Sequence, residues 1–107
     1  MKLKSYIAGN WVEGAGDGKL IVDAVRGEPV CRVSSDGIDM AEAVHYAREV
    51  GGSRLREMTF HERALALKET AKHLMSKKDA FYELSFKTGT TRADAWPDVE
   101  GGIGTVF

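Results

Sequence analysis

The stretch TFHERALALKETAKHLMSKK, residues 59–78, decides the fold because it carries the clearest helical signal in the chain. Thr59 and Glu62 form a capping box, in which each residue satisfies a backbone amide that the helix start leaves unpaired. Apolar residues then recur at the spacing of one helix face, namely Ala64, Leu67, Ala71, Leu74 and Met75. Lys77 and Lys78 follow, where cations suit the helix dipole. The stretch predicts an amphipathic helix.

A second helix is predicted upstream, because the apolar period changes from two to about three and a half residues after Ser34. Its stripe consists of Met40, Val44, Ala47 and Val50. Asp36 or Asp39 is the candidate N-cap. The pair Gly51-Gly52 is the predicted stop, since glycine commonly ends helices.

Two further helices are predicted downstream. Residues 76–79, SKKD, start a short helix that bears Phe81, Leu84 and Ser85 and is closed by Gly89. Residues 91–94, TRAD, form another capping box and open the last helix. Pro97 is tolerated there because it falls within the first two turns.

The first 35 residues have the pattern of strands and turns. Residues 5–7 and 11–13 flank Ala8-Gly9-Asn10, which predicts a hairpin. Residues 20–22 and 29–33 predict a second hairpin, joined through Arg26-Gly27-Glu28. Gly14-Ala15-Gly16-Asp17-Gly18 between them is interpreted as a flexible connection. Two short hairpins are only marginally stable alone and need a surface to lie on.

The predicted fold class is α/β, and α+β within this segment: β-hairpins in residues 1–35 are followed by about four helices in residues 36–107. We find no internal repeat, low-complexity tract or linker that would divide the 107 residues. The segment is therefore treated as one portion of a domain.

Composition limits the possible partners. The chain is 43% hydrophobic and 29% charged with a formal net charge of −1, which gives no electrostatic case for nucleic acid or an anionic membrane. Lys2 and Lys4 resemble the start of a signal peptide, but no apolar run follows them. Cys31 is the single cysteine, which excludes an intrachain disulfide. These features predict a cytoplasmic protein.

The last helix has no predicted end. No glycine cap, basic turn or proline follows Phe107, and Ile103, Val106 and Phe107 are apolar side chains that need burial. The C-terminus is therefore interpreted as a cut. Glycines at 101, 102 and 104 cost about 1 kcal/mol each in helix propensity, which predicts close packing against a backbone outside these 107 residues.

The cysteine, the histidines and the glycine runs are the candidate catalytic and binding groups, and each is better explained by a structural role. Cys31 lies in a short apolar strand without a nearby histidine, which favours a buried structural residue over a nucleophile. His45, His61 and His73 lack the spacing of a metal site on one helix. The glycine runs at 14–18 and 101–104 lack the context of a phosphate loop or a dinucleotide turn. On residues alone, no active site is assembled.

Acidic residues and lysines form two further groups. Asp94, Asp98 and Glu100 cluster near the start of the last helix, where they stabilise its N-terminus or form a cation site. Lys72, Lys77 and Lys78 are interpreted as a solvated helix end.

The order of these pieces resembles the N-terminal segment of aldehyde dehydrogenases over essentially the whole chain. The residues that carry the resemblance are Ile7, Gly9 and Trp11; Gly27-Glu28; Ala41, Ala43 and Ala47; Thr59 and Glu62-Arg63; and Thr88-Gly89. Residues 33–39, 55–60, 88–94 and 98–103 are similar to one branch, which oxidises CoA-linked semialdehydes in bacterial phenylacetate and benzoate degradation. In the phenylacetate enzyme of that branch, a MaoC-type hydratase domain follows.

The resemblance implies an NAD(P)-dependent oxidoreductase, homo-oligomeric when complete, in which a cysteine thiolate attacks the aldehyde and hydride passes to the cofactor. The family's catalytic cysteine, general-base glutamate, oxyanion asparagine and dinucleotide-binding strands lie beyond Phe107. We therefore assign no catalytic, cofactor-binding or metal residue here, and Cys31 is outside the family's catalytic motif. Some members bind a monovalent cation at an acidic residue of the last helix, for which Asp98 and Glu100 are the candidates.

Three hypotheses follow. The first is an inactive N-terminal portion of such an enzyme, whose partner is the remainder of the polypeptide. The second is a stand-alone helical module that binds a partner or dimerises through an exposed apolar face. The third is a small enzyme that acts through Cys31.

Overall fold

The computed structural model describes all residues from Met1 to Phe107 and divides the chain into two compact units. Unit 1 spans Met1–Glu57 and unit 2 spans Met58–Phe107. Unit 1 holds two antiparallel hairpins and one helical stretch, and unit 2 holds three helical stretches. The predicted α+β class, with hairpins followed by about four helices, is confirmed. None of the helices combines the length and the apolar composition that a membrane span needs.

The first hairpin of unit 1 consists of β1 (Ser5–Ile7) and β2 (Asn10–Val12). Tyr6 pairs with Trp11, and their rings meet edge to face at 5.2 Å. Ala8 and Gly9 both have positive φ, as a two-residue type I′ turn requires. The predicted hairpin is confirmed with a shorter turn, since Asn10 belongs to β2.

The second hairpin consists of β3 (Lys19–Val22) and β4 (Pro29–Val33). Asp23 organises its turn: the backbone amides of Val25 and Arg26 donate to its Oδ1 at 2.8 and 3.0 Å. Gly27 takes a positive φ in the same turn. The predicted second hairpin is confirmed, and the structure adds Asp23 as the residue that organises its turn.

The glycine loop between the hairpins is held in place, which differs from the flexible connection that the sequence suggested. Lys2 donates through Nζ to the carbonyls of Gly14 and Gly16. Ser34 donates through Oγ to the carbonyl of Ala15 at 2.8 Å. A Cβ on Gly14 would collide with the backbone carbonyl of Ser34. Glycine is required here by a close approach of two backbone segments.

The helical stretch of unit 1 consists of α1 (Met40–Tyr46), a wider π-helical segment (Ala47–Gly52) and α2 (Ser53–Glu57). Asp39, one of the two predicted caps, is the N-cap, and its Oδ1 accepts the amide of Glu42 at 2.9 Å. The predicted stop at Gly51-Gly52 is wrong. Neither glycine takes the positive φ that ends a helix, so the chain stays helical to Glu57.

No apolar side chain of unit 1 is buried. The predicted stripe on α1 remains half exposed, at 51% for both Met40 and Val44. The two buried residues of this unit are Gly14 and Asp23, which belong to the loop and the turn. Unit 1 is therefore held mainly by backbone pairing and local polar contacts.

Unit 2 starts with α3 (Phe60–Met75) and α4 (Lys78–Phe86). The capping box of α3 is confirmed: Glu62 Oε2 accepts the amide of Thr59 at 2.7 Å, and Thr59 Oγ1 accepts the amide of Glu62 at 3.2 Å. The helix ends at Met75, two residues before the predicted lysines. After α4 the chain turns at Gly89, which has a φ of 85°.

The last helical stretch consists of α5 (Arg92–Trp96), a π-helical segment (Pro97–Gly101) and α6 (Gly102–Gly104). Thr91 caps it through the amide of Asp94, as predicted. The amide of Gly102 donates to the carbonyl of Pro97, five residues earlier. Pro97 lacks a backbone amide, and the π-helical segment begins at this residue.

The core of unit 2 consists of five buried residues, Ala71, Tyr82, Ala95, Val99 and Ile103. The last three are spaced by four residues, although an α-helical turn takes about 3.6. The wider π segment takes up that difference and keeps the three side chains on one face. Of the stripe predicted for α3, Ala71 alone is fully buried, and Leu67 is exposed.

Candidate functional site

Tyr82 lies at the centre of the most organised polar cluster in the chain. Helix α4 carries it into the core of unit 2, where 1% of its surface is exposed. Its hydroxyl donates to Glu100 Oε1 at 2.9 Å. Burial raises the pKa of Tyr82, and the hydrogen bond to Glu100 raises it further. The phenol therefore stays protonated at neutral pH and serves as a hydrogen-bond donor.

Glu100, which accepts that hydrogen bond, lies in the π-helical segment of the last helical stretch. The bond from Tyr82 is the largest cause of its lowered pKa, and Lys78 contributes to the same shift. Lys78 Nζ lies 3.3 Å from Glu100 Oε1. Glu100 is consequently a carboxylate with two partners that both come from α4.

Arg92 completes the cluster from the start of α5. Its guanidinium lies 4.2 Å above the ring of Tyr82, and its Nη2 is 3.5 Å from Asp79 Oδ1. The cluster thus joins α4 to α5 and to the π-helical segment. Each charged group already has a partner, so the cluster acts as a brace between helices.

An open cleft lies above this brace. Its lining consists of Tyr82, Arg92, Ala93, Trp96 and Glu100. Trp96 is exposed here, and Arg92 and Glu100 remain engaged with Tyr82. The cleft offers an aromatic surface and a guanidinium, but it brings together no nucleophile with a general base.

An apolar groove on unit 2 is the second candidate site. It encloses about 350 Å³ and is lined by Leu74, Phe81, Asp98, Val99, Gly102, Ile103 and Val106. Carbon atoms form nearly all of this lining, and Asp98 supplies the one charged side chain. Such a surface suits an apolar side chain better than it suits a polar ligand.

The structure keeps the predicted nucleophile and histidines apart. Cys31 lies half-buried in β4, opposite Ile21. His45 lies on α1, and His61 and His73 lie at opposite ends of α3, all three exposed. The structure contains no group of three histidine, cysteine, aspartate or glutamate residues that could hold a metal ion.

The acidic residues predicted to cluster near the last helix have separate positions. Asp94 accepts the hydroxyl of Thr91 at 2.7 Å in the cap. Glu100 binds Tyr82 and Lys78, and Asp98 lies at the groove. The solvated interpretation of the lysine run is wrong for Lys78, because Lys78 pairs with Glu100 in the brace.

The position of Ile103 corrects another expectation. Ile103 is buried within unit 2 itself, whereas Phe107 remains 60% exposed. A Cβ on Gly102 or Gly104 would meet nothing within 4 Å. The chain itself therefore places no backbone against these glycines, and close packing there stays a prediction.

Tyr82, which the structure makes central, was not among the residues predicted from the sequence. The residues chosen for α4 were Phe81, Leu84 and Ser85, yet Leu84 is exposed. One signal was available: a tyrosine four residues after Lys78 shares its helix face, and a buried tyrosine hydroxyl needs a partner. Glu100 is 18 residues further along the chain, so local spacing does not identify it.

Comparison with known proteins found one informative similarity. No family model matches the sequence. The chain is 46% identical over 107 residues to the 3,4-dehydroadipyl-CoA semialdehyde dehydrogenase of Aromatoleum evansii. The match covers 99% of this chain and 21% of that relative, so the chain spans about a fifth of the relative's length. The predicted likeness to a CoA-semialdehyde dehydrogenase is supported, and a hydratase fusion stays a prediction.

Proposed function

We propose that this chain is the N-terminal portion of a cytoplasmic, NAD(P)-dependent aldehyde dehydrogenase that oxidises a CoA-linked semialdehyde to the acid in aromatic catabolism. The observation that carries the proposal is the 46% identity to a 3,4-dehydroadipyl-CoA semialdehyde dehydrogenase along 99% of the chain. The phenylacetate and benzoate pathways are the proposed context.

Within that enzyme, these residues serve as scaffold. The polar cluster around Tyr82 is fully paired within the chain, and Cys31 has no histidine or carboxylate partner in its strand pair. A thiolate nucleophile needs an activating base or a positive environment, so Cys31 is unsuited to that role. We place the catalytic cysteine and the NAD(P) site in the rest of the polypeptide, which forms a homo-oligomer when complete.

The contribution of this portion is then to hold helices at fixed positions. The brace of Lys78, Tyr82, Arg92 and Glu100 fixes α4 against α5 and the π-helical segment, and the core of unit 2 supports the same arrangement. The part-buried hydrogen bond between Tyr82 and Glu100 is the contact of the brace that most favours one packing of the helices. Rigid helices give an enzyme precise positions for the loops that carry its chemistry.

A stand-alone helical module is the less favoured alternative. Exposed apolar side chains such as Phe60 and Leu67 on α3 are what such a module would use. The similarity to the dehydrogenase, however, extends over hairpins and helices alike. A module that bound only through its helices would not need the hairpin sequence.

An enzymatic assay tests the proposal. The polypeptide translated from the complete reading frame and the 107-residue chain are purified separately. Each is mixed with 3,4-dehydroadipyl-CoA semialdehyde and either NAD+ or NADP+, and cofactor reduction is followed by absorbance. A simple aliphatic aldehyde without CoA serves as the substrate control.

We expect the complete polypeptide to reduce one of the two cofactors and to prefer the CoA-linked substrate. We expect the 107-residue chain to be inactive. Activity of the 107-residue chain alone would contradict the scaffold role. A complete polypeptide that is folded but inactive on every aldehyde would contradict the proposed function.

A further inference from the structure

The open cleft above the brace has no use in the scaffold role. It measures about 590 Å³, which lies within the range of small-molecule sites. Trp96 lines the cleft and is 55% exposed, although a large aromatic side chain usually gains by burial. The cleft therefore presents an accessible indole surface to a ligand.

Arg92 supplies a positive charge to the same cleft. It lies four residues before Trp96, so the two side chains share one face of the last helical stretch. The ring of Tyr82 lies 4.2 Å from its guanidinium and helps to hold it in place. Its ion pair with Asp79 is 3.5 Å long between side chains that are 61% and 81% exposed, so that pair contributes little. A phosphate, which a guanidinium binds through two hydrogen bonds, can replace Asp79 as the partner.

Glu100 supplies a hydrogen-bond acceptor to the cleft. Tyr82 and Lys78 both bind its Oε1, which leaves Oε2 without a partner. A carboxylate oxygen accepts from a donor such as the amino group of a nucleobase, and it repels a phosphate. A ligand in this cleft therefore directs its anionic group to Arg92 and its amino group to Glu100.

These three features together match one class of ligand. A nucleobase stacks on an exposed aromatic ring, and adenine also carries an amino donor and, as a nucleotide, a phosphate. We propose that the cleft binds an adenine nucleotide, with the base stacked on Trp96, its amino group at Glu100 and a phosphate at Arg92.

The source of the nucleotide rests on the proposed function. A CoA-linked substrate carries an adenine nucleotide with an additional ribose phosphate, and NADP+ carries one as well. The NAD(P) site has been placed in the rest of the polypeptide, so the nucleotide end of the CoA-linked substrate is the ligand assigned to this cleft.

Tryptophan fluorescence tests the site directly, because the chain contains two tryptophans. Trp11→Phe leaves Trp96 as the reporter at the cleft. Trp96→Phe leaves Trp11, in the first hairpin of unit 1, as the matched control. Each variant is titrated with CoA, with NADP+ and with pantetheine, which is the part of CoA that lacks the nucleotide. The Trp11 reporter also corrects for light absorbed by the adenine.

We expect CoA to quench Trp96 in a saturable way, pantetheine to leave it unchanged, and Trp11 to respond to neither. Equal quenching of both reporters, or quenching by pantetheine that matches CoA, would overturn the proposal. Tighter binding of NADP+ than of CoA at Trp96 would overturn the assignment of the nucleotide to the substrate.

Kinetics of the complete polypeptide provide a second test that does not need the isolated chain. The KM for the CoA-linked semialdehyde is divided by the KM for an aliphatic aldehyde without CoA. Trp96→Ala should raise this ratio about tenfold, the change expected when one base–aromatic stack is lost. Arg92→Gln should raise it as well, and Arg92→Lys less, because lysine keeps the charge. Trp11→Phe should keep the parent ratio. An unchanged ratio in Trp96→Ala would overturn the proposal, since a purely structural role would affect both aldehydes equally.

These outcomes are separate from those of the dehydrogenase assay. A complete polypeptide that is inactive on aldehydes, together with quenching of Trp96 by CoA, would contradict the proposed function and support the nucleotide site. An active polypeptide whose Trp96→Ala variant keeps the parent ratio would do the reverse.

Discussion

The two units of this chain differ in what holds them together. Unit 2 has a core of five buried side chains and a polar brace beside it. Unit 1 has no buried apolar side chain, and its order comes from strand pairing, the Asp23 turn and the loop held by Lys2 and Ser34. Hydrophobic burial contributes in proportion to the area removed from water. Unit 2 is therefore expected to be the more stable part.

Paired truncations of isoleucine should produce the largest difference between the units. Ile103→Ala removes a side chain that is 8% exposed and should lower the free energy of unfolding by about 2–5 kcal/mol. Ile21→Ala in β3 removes one that is 37% exposed and should cost less than about 1 kcal/mol. Urea unfolding of the 107-residue variants measures both. Equal losses would contradict the contrast between the units.

Glycine substitutions should show that unit 1 depends on close backbone approach. Gly14→Ala places a methyl group against the carbonyl of Ser34 and should cost about 1–3 kcal/mol. Gly51→Ala, in open helical space of the same unit, should instead stabilise by about 0.5–1 kcal/mol. Thermal melts of the two variants give the comparison. A harmless Gly14→Ala would show that the loop is as flexible as its composition suggests.

The brace should make the stability of unit 2 depend on pH. The pKa of Glu100 lies below its ordinary value of 4.5, so its stabilising effect is present above that pH and is lost as the pH falls through the lowered pKa. The pKa of Tyr82 is raised above 10.0, so its effect is present below that pH and is lost as the pH rises through the raised pKa.

Tyr82→Phe is the variant that isolates this effect. It keeps the ring under Arg92 and removes the hydroxyl that donates to Glu100. Urea unfolding at a series of pH values should show lower stability at neutral pH and a weaker loss in acid than in the parent chain. An unchanged acid dependence would mean that other carboxylates, such as Glu62 with its own lowered pKa, dominate it.

The last prediction concerns the start of α3. Thr59→Ala removes the hydroxyl of the capping box and should cost about 1 kcal/mol. Thr59→Ser keeps the hydroxyl and should cost less. Far-ultraviolet circular dichroism during thermal unfolding distinguishes the two. Equal stability of both variants would mean that the core, and not the cap, sets the stability of this helix.

The sequence was informative where structure depends on neighbouring residues. The turn at Ala8-Gly9, the cap at Asp39 and the box at Thr59 each involve residues at most three positions apart, so spacing alone predicts them. The predicted helix stop at Gly51 was wrong because Gly51 does not adopt a positive φ. A glycine ends a helix in this way only when it takes that conformation.

Longer-range features of the candidate site were not predictable in this way. The contact between Tyr82 and Glu100 spans 18 residues and depends on how α4 packs against the last helical stretch. The π-helical segment that brings Val99 and Ile103 into one row is also a product of packing, since π turns have no strong local signal. The family resemblance came from the order of many short motifs, and the similarity to the Aromatoleum evansii enzyme supports it.

The reading frame beyond the codon for Phe107 tests the central claim most directly. We predict that the source DNA continues in frame into a glycine-rich dinucleotide-binding turn and a catalytic cysteine. The alignment of this chain with about a fifth of its relative motivates the prediction. A stop codon directly after Phe107 would contradict the claim, because the chain would then have to perform its function without the residues of a dehydrogenase.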